Sequence, residues 1–250
     1  MTTTDALRQR AQALRLHGLL AHWTEVAAAP WLAQCIDWEE QERARRSLQR
    51  RLAAAHIGQF KPLVDFDWSW PKRCDRATIE ELMTLAFLQE ATNVILVGPN
   101  GIGKSTLARN LAHQALVHGH TVLFVAAGQL LGDLAALDSD SALRRRLRHY
   151  AAADLLCIDE VGYLSYSNRH ADLLFELTSR RYGHKSTLIT TNKPFSEWKD
   201  VFPNAACVVS LIDRLVHNAE VVLIEGESYR LKEARERAER RAQQRRKAKR

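Results

Sequence analysis

The chain has 250 residues, 46% hydrophobic and 26% charged, with a formal net charge of +7, enough for one α/β domain and a small accessory region. No apolar run approaches the ~20 residues of a membrane span, and residues 1–20 lack the apolar core and small-residue cleavage site of a secretory signal. Cys35, Cys74, Cys157 and Cys207 are scattered without a C-x-x-C pair, which argues against a zinc or disulfide framework and suits a reducing cytoplasm.

From about 5 to 59 the chain is rich in Ala, Leu, Glu, Arg and Gln and reads as helical, giving a helical N-terminal domain over 1–60. Within it, WEEQERARRSLQRRL sets Arg43, Arg46 and Arg50 at helical spacing, a pattern of either a solvated helix face or a partner surface. Residues 61–75 hold Pro and several aromatics and read as a connector packed onto the domain C-terminal to it. A helix is expected over 76–90.

Strands and helices then alternate. Strands are expected at 94–97, 121–126, 155–158, 187–190 and 221–224, with helices at 103–118, across 128–149 as a pair broken at 138–141, at 171–181 and at 207–218. This alternation predicts a five-stranded parallel sheet flanked by helices, an α/β domain over 76–230. Residues 231–250 form a basic arm with ten Lys/Arg against Glu233, Glu236 and Glu239. The remaining residues balance, so the whole net charge lies in this arm. It reads either as an electrostatic hook for a polyanion or as a solvated, frayed tail.

Gly98, Pro99, Asn100, Gly101, Ile102, Gly103, Lys104 and Ser105 match G-x-x-x-x-G-K-[ST] in full, and Thr106 follows. Glycines let successive N–H groups turn inward on phosphate oxygens at a helix N-terminus. Lys104 is placed to reach the β- and γ-phosphates, Ser105 to ligate Mg²⁺, and Thr106 to add a phosphate contact. The motif leaves an apolar strand and opens a helix, as that chemistry requires. Fifty-five positions after Lys104, Leu155-Leu156-Cys157-Ile158 runs into Asp159 and Glu160. The C-terminal end of a buried parallel strand faces the ligand crevice, which places Asp159 to hold Mg²⁺ through water and Glu160 to polarise an attacking water. A built-in base for water favours hydrolysis over transfer to a small-molecule acceptor. Asn192, at the tip of the next strand, is placed either to sense the γ-phosphate or to turn the chain before Pro194.

The order GPNGIGKST, LLCIDEVGYL, STLITTNKPFSEW and LIDRLVHNAEVVLIEGESYRLKE resembles the IstB family, ATP-dependent transposition helpers of bacterial insertion sequences. That family is related to the DnaC helicase loaders and DnaA initiators within AAA+. The resemblance spans nearly the whole chain, including DFDWSWPKRCDRATIEEL. DEVGYL, TTNKPFSEW, DRLVHNAEV and GESYRL are its more specific parts. It implies an AAA+ ATPase with ATP and Mg²⁺ between the subunits of a homo-oligomer, assembling on duplex DNA and recruiting a cognate transposase. A DnaC-like helicase loader is the alternative. It further implies that Arg214 is the arginine finger reaching a neighbour's site, with Arg180 and Arg181 as other intersubunit cations. Arg144, Arg145, Arg146 and Arg148 fall in the insertion that meets DNA in the initiator and loader clade. Only one strand and the basic arm follow Arg214 at length, so the helical lid of other AAA+ proteins is expected to be absent.

Overall fold

The computed structural model describes residues 3–203 and 206–247, with side chains through Arg241. The last residues of the basic arm lie outside the described ones. The chain divides into two compact units, Met1–Ala53 and Ala54–Arg250. Residues 61–75, expected as a connector, belong to the second.

The first unit is all helical: α1 (Thr3–Ala13), α2 (His17–Ala21), α3 (Trp23–Val26) and most of α4 (Leu32–Ala55). Ala11, Leu14, Trp23, Leu32 and Ile36 form its small core. Arg10 on α1 forks to α4, donating to Glu40 at 2.9 and 2.6 Å. Along α4, Arg43 donates to Glu39 at 2.5 Å, and Arg45 and Arg46 donate to Glu42 at 2.8 and 2.6 Å. Arg43 and Arg46 thus each form an i,i+4 pair along the exposed face of α4.

In the second unit, α5 (Arg76–Leu82) starts on Asp75, whose carboxylate accepts from Thr78 N at 3.1 Å. The helix expected to continue to 90 breaks, and a short α6 (Ala86–Gln89) follows. Leu85 sits between them at φ +67°, and Thr84 Oγ1 returns to Glu81 O at 2.7 Å. The left-handed turn costs on the order of 1–3 kcal/mol. Burying Leu85 and Phe87, both about 5% exposed, offsets it, because each buried side chain of this size contributes about 1.5–3 kcal/mol.

Five strands follow: β1 (Asn93–Val97), β2 (Val122–Ala126), β3 (Leu155–Val161), β4 (Ser186–Thr191) and β5 (Ala219–Leu223). They form one all-parallel sheet in the order β2-β3-β4-β1-β5. The helices between them are α7 (Lys104–Val117), α8 (Ala127–Ala135), α9 (Asp140–Ala152), α10 (Asn168–Arg181), the short α11 (Trp198–Val201) and α12 (Val208–Val216). The chain ends in α13 (Tyr229–Lys247). Residues of β1, β3 and β4 meet Leu130, Leu131, Leu174, Leu177, Leu211 and Leu215 in the main core. Parallel strands buried on both faces explain the uninterrupted apolar runs seen in sequence.

β3 is longer than the run of apolar residues suggests. Asp159 and Glu160 lie inside it, with a register shift against β4 between Ile158 and Val161. Glu160 has φ +66°, and its N–H donates to Thr190 Oγ1 at 2.9 Å in place of a ladder carbonyl. The carboxylates end the apolar pattern without ending the strand, since side chains of the neighbouring strand take up the polar groups. None of the described helices is long and apolar enough to cross a membrane.

Candidate nucleotide site

The sheet order puts β4 between the phosphate-loop strand β1 and the acidic strand β3, so three strand tips converge. Gly98 follows β1, and the loop opens into α7 with Gly103 at φ +111° as its N-cap. No side chain fits at Gly103, because a Cβ there would lie 2.7 Å from the Phe66 ring. The loop is thus a curl of backbone, open to an anion and closed to side chains.

Lys104 is buried at 4% exposure. Its Nζ donates to Gly98 O at 2.7 Å and Pro99 O at 2.8 Å, folded onto its own loop. Burial pushes its pKa down to about 8, and the positive charge of Arg230 adds to this against the raising effect of Asp159 and Glu160. Its hydrogen bonds go only to the partial charges of two carbonyls. An incoming polyphosphate would give it full negative charge.

Ser105 Oγ donates to Asp159 Oδ1 at 2.9 Å, joining α7 to β3. Thr190 Oγ1 donates to the same oxygen. No group of three or more His, Cys, Asp or Glu converges among the described residues. A hydroxyl and one carboxylate suit Mg²⁺, which takes the rest of its octahedron from water and phosphate; this donor set fits the ion.

Thr191 and Asn192 divide the end of β4. Thr191 Oγ1 accepts from Lys193 N at 3.1 Å and donates to Lys193 O at 3.0 Å, closing the turn before Pro194. Asn192 is therefore not needed for the turn, and its Oδ1 is buried without a hydrogen-bond partner. It lies beside Gly162, where a Cβ would be 3.0 Å from that oxygen.

A cavity of about 290 Å³ opens over residues 101–106 of the loop, near the lower end for small-molecule sites. Its far wall is formed by residues that sequence reading did not assign to a site: Phe60, Phe66 and Trp70 from and just before the connector, Tyr163 after β3, and Tyr229 and Arg230 on α13. The signal available was the aromatic density of FKPLVDFDWSWP, unusual for a linker.

Arg214 on α12 does not line this cavity. Its guanidinium lies 4.5 Å from the Phe175 ring centre and donates to Ser179 Oγ. Arg180 pairs with Glu176 on its own helix. Arg181 is 1% exposed and donates to the carbonyls of Tyr150, Ala151, Ala153, Asp154 and Ser186 and to Thr187 Oγ1. Burial lowers its pKa to about 10, so it stays a cation at neutral pH. It staples the end of α9 to the start of β4 and is unavailable to a neighbouring subunit, which removes it from the intersubunit candidates. Arg144, Arg145, Arg146 and Arg148 are all exposed on α9. Arg146 reaches Asp133 at 3.5 Å and stacks 4.9 Å from the Tyr150 ring centre. The other three form no ion pair among the described residues.

A parallel five-stranded sheet with this loop after β1 and a Ser–Asp pair joining α7 to β3 defines a P-loop nucleotide-binding protein of AAA+ type. A family profile described as IstB-like ATP binding protein matches residues 4–237, and the chain belongs to that family. It is 37% identical over 205 residues to the insertion sequence IS21 putative ATP-binding protein of Pseudomonas aeruginosa, covering 82% of this chain and 77% of that one. It is 32% identical over 210 residues to the IS5376 putative ATP-binding protein of Geobacillus stearothermophilus, covering 84% of each. Among solved structures, DnaI superposes with a TM-score of 0.55 at 17% identity, covering 69% of this chain and 91% of that one. The replication initiator DnaA, bound to AMPPCP and single-stranded DNA, gives 0.53 at 20% identity, covering 66% and 50%. These two likenesses establish the fold.

Proposed function

We propose that the chain is an ATP-hydrolysing helper of DNA transposition that assembles on duplex DNA and recruits its cognate transposase. The observation that carries the ATPase reading is the convergence of Lys104, Ser105, Asp159, Glu160 and Asn192 at three adjacent strand tips. Backbone N–H groups of residues 100–106 and the Lys104 ammonium hold the phosphates. Ser105 directly and Asp159 through water hold Mg²⁺, which supplies neutralisation of phosphate charge when bound. Glu160 polarises the attacking water, and the Asn192 side-chain amide orients it.

Arg214 acts in trans. Its place on α12, away from its own cavity, suits a group that completes a neighbour's site. Family membership supports the transposition role, since the relatives bear the names of insertion-sequence proteins. The exposed Arg144, Arg145 and Arg148, together with Arg146, offer phosphate-directed contacts with little base information.

The Glu160→Gln variant tests the reading. It should bind ATP as the wild type does, lose hydrolysis by 10²-fold or more, and hold an ATP-dependent oligomer on duplex DNA longer, as read by light scattering. Unaltered turnover would remove Glu160 from this role. An ATP-independent particle size with and without DNA would refute assembly, and co-purification with a replicative helicase instead of the transposase would favour a loader.

A further inference from the structure

β5 is an edge strand of the sheet, and its outer side is open. Towards β1, Asn218 O accepts from Asn93 N at 2.8 Å and Ile224 N donates to Val97 O at 2.8 Å. Alternate residues of a strand turn their N–H and C=O to the same side. Residues 220 and 222 therefore also face β1, and 219, 221 and 223 face outward. The next outward residue, Glu225, exchanges both backbone bonds with Arg73, at 2.9 and 3.2 Å, in an antiparallel bridge. The chain thus starts a further strand on this edge and leaves it where α5 begins on Asp75. No backbone group among the described residues bonds to the outward sides of Val221 and Leu223.

The side chains beside this gap differ between the two faces of the sheet. On the face of Ala219, which packs against the main core, Val221 and Leu223 are 43% and 46% exposed. The opposite edge strand, β2, exposes no side chain. On the other face of β5, Glu220 shares a cleft of about 190 Å³ with Glu81 and Glu90, and all three are exposed. A second cleft, of about 390 Å³, runs along residues 220–223 and shares Thr78 and Glu220 with the first. None of the three carboxylates forms an ion pair among the described residues. The cations beside them are taken, Arg73 by Glu225 at 3.6 Å and Arg76 by Glu80 at 2.6 Å.

We propose that the outer edge of β5 is a docking site for an extended, basic segment of a protein partner, which joins the sheet as an added strand. Main-chain bonds to residues 219, 221 and 223 hold such a segment. Its side chains alternate between the same two faces. Apolar ones cover Val221 and Leu223, and basic ones meet Glu220, Glu81 and Glu90. The unpaired carboxylates repel nucleic acid, so charge complementarity selects a peptide. The chain's own basic arm is not that segment, because residues 229–247 are helical. The inference goes beyond the proposed function, which assigns no surface to a protein partner, and it does not depend on the nucleotide reading.

The test is fluorescence anisotropy of a labelled peptide in which Lys or Arg alternates with Val, titrated with the full chain. A control peptide has the same composition with its basic and its Val residues in separate blocks. Val221→Pro removes one outward N–H and leaves in place the bonds to β1, which use residues 220 and 222. Glu220→Arg reverses one charge of the acidic wall. The alternating peptide should bind wild type about tenfold or more tightly than the blocked one, and each substitution should weaken it about tenfold. Hydrogen exchange of the wild type should slow across residues 219–223 when the alternating peptide is bound. Thermal unfolding checks the fold of each variant, and if Val221→Pro is unfolded, Glu220→Arg and the exchange measurement decide. No binding to wild type, equal affinity for the two peptides, or binding without protection of 219–223 would overturn the inference. So would wild-type affinity in Glu220→Arg or in a folded Val221→Pro.

Discussion

Thr190 ties the Asp159 carboxylate and the Glu160 backbone of β3 to β4, and replacing it by the isosteric Val tests whether that connection positions the two residues. The side chain is about 1% exposed. Its hydroxyl donates to Asp159 Oδ1 and accepts from Glu160 N at 2.9 Å. Thr190→Val keeps volume and β-branching and removes both bonds at once. The half-buried Glu160 N–H loses its partner, at about 1–3 kcal/mol, and the Asp159 carboxylate loses one charge-assisted bond, at about 1.5–3 kcal/mol. Asp159 keeps its bond from Ser105 at 2.9 Å, so we expect the lower half of the combined range, roughly 2.5–4 kcal/mol. For a unit of about 200 residues that lowers Tm by roughly 5–15 °C. The backbone of Glu160, at φ +66°, loses the bond that holds it there, so turnover should fall by more than ATP affinity does. Thermal unfolding followed by circular dichroism reads the first effect, and steady-state kcat against KM for ATP reads the second. Thr190→Ser, which restores the hydroxyl, should recover most of both. A Thr190→Val protein with wild-type Tm and wild-type kcat would refute the positioning argument.

Arg181→Met removes a buried cation that serves five carbonyls and Thr187 Oγ1. By leaving these buried carbonyls without a donor it should cost about 3 kcal/mol or more in urea unfolding, and a loss below about 1 kcal/mol would refute its role as a staple. Lys104, with its pKa lowered to about 8 mainly by burial, should be raised again by bound phosphates. Nucleotide affinity is then full below pH 8 and falls as pH rises above it, by up to tenfold per unit. Calorimetry at pH 8.5 in buffers of different ionisation enthalpy should register proton uptake, and a pH-independent affinity from 7 to 9.5 would contradict it.

What the sequence disclosed was whatever short runs of consecutive residues encode. The phosphate loop, the Asp159–Glu160 pair and the strand–helix alternation each occupy one continuous stretch, so spacing alone placed them. The cavity wall is different in kind. Phe66, Tyr163 and Arg230 stand far apart in sequence and meet only because α13 folds back over the loop. Arg181 was misleading for a related reason. An arginine in the last turn of an amphipathic helix is ordinarily solvated, and nothing local reports that the ends of α9 and β4 present their carbonyls to it. Leu85 likewise gave no sign of its left-handed turn, because the burial that offsets the turn is tertiary.

Three successive residues, Thr190, Thr191 and Asn192, carry three separate tasks where β4 ends. Thr190 braces Asp159 and Glu160, Thr191 closes the turn, and Asn192 is left with a buried oxygen and no partner. Opposite them, Glu160 sits at φ +66° and Gly162 at φ +96°. A Cβ at position 162 would lie 3.0 Å from the Asn192 oxygen. A left-handed non-glycine residue and an orphaned buried oxygen each cost on the order of 1–3 kcal/mol. Neither improves the packing of the core, which is formed by the apolar stretches behind them. The turn at Leu85 is offset by burial, whereas a violation that no core packing offsets marks a place where another requirement outweighs stability. Under the proposed function that requirement is a water molecule held between Glu160 and Asn192, which would give the unpaired oxygen a partner and the strained carboxylate its substrate.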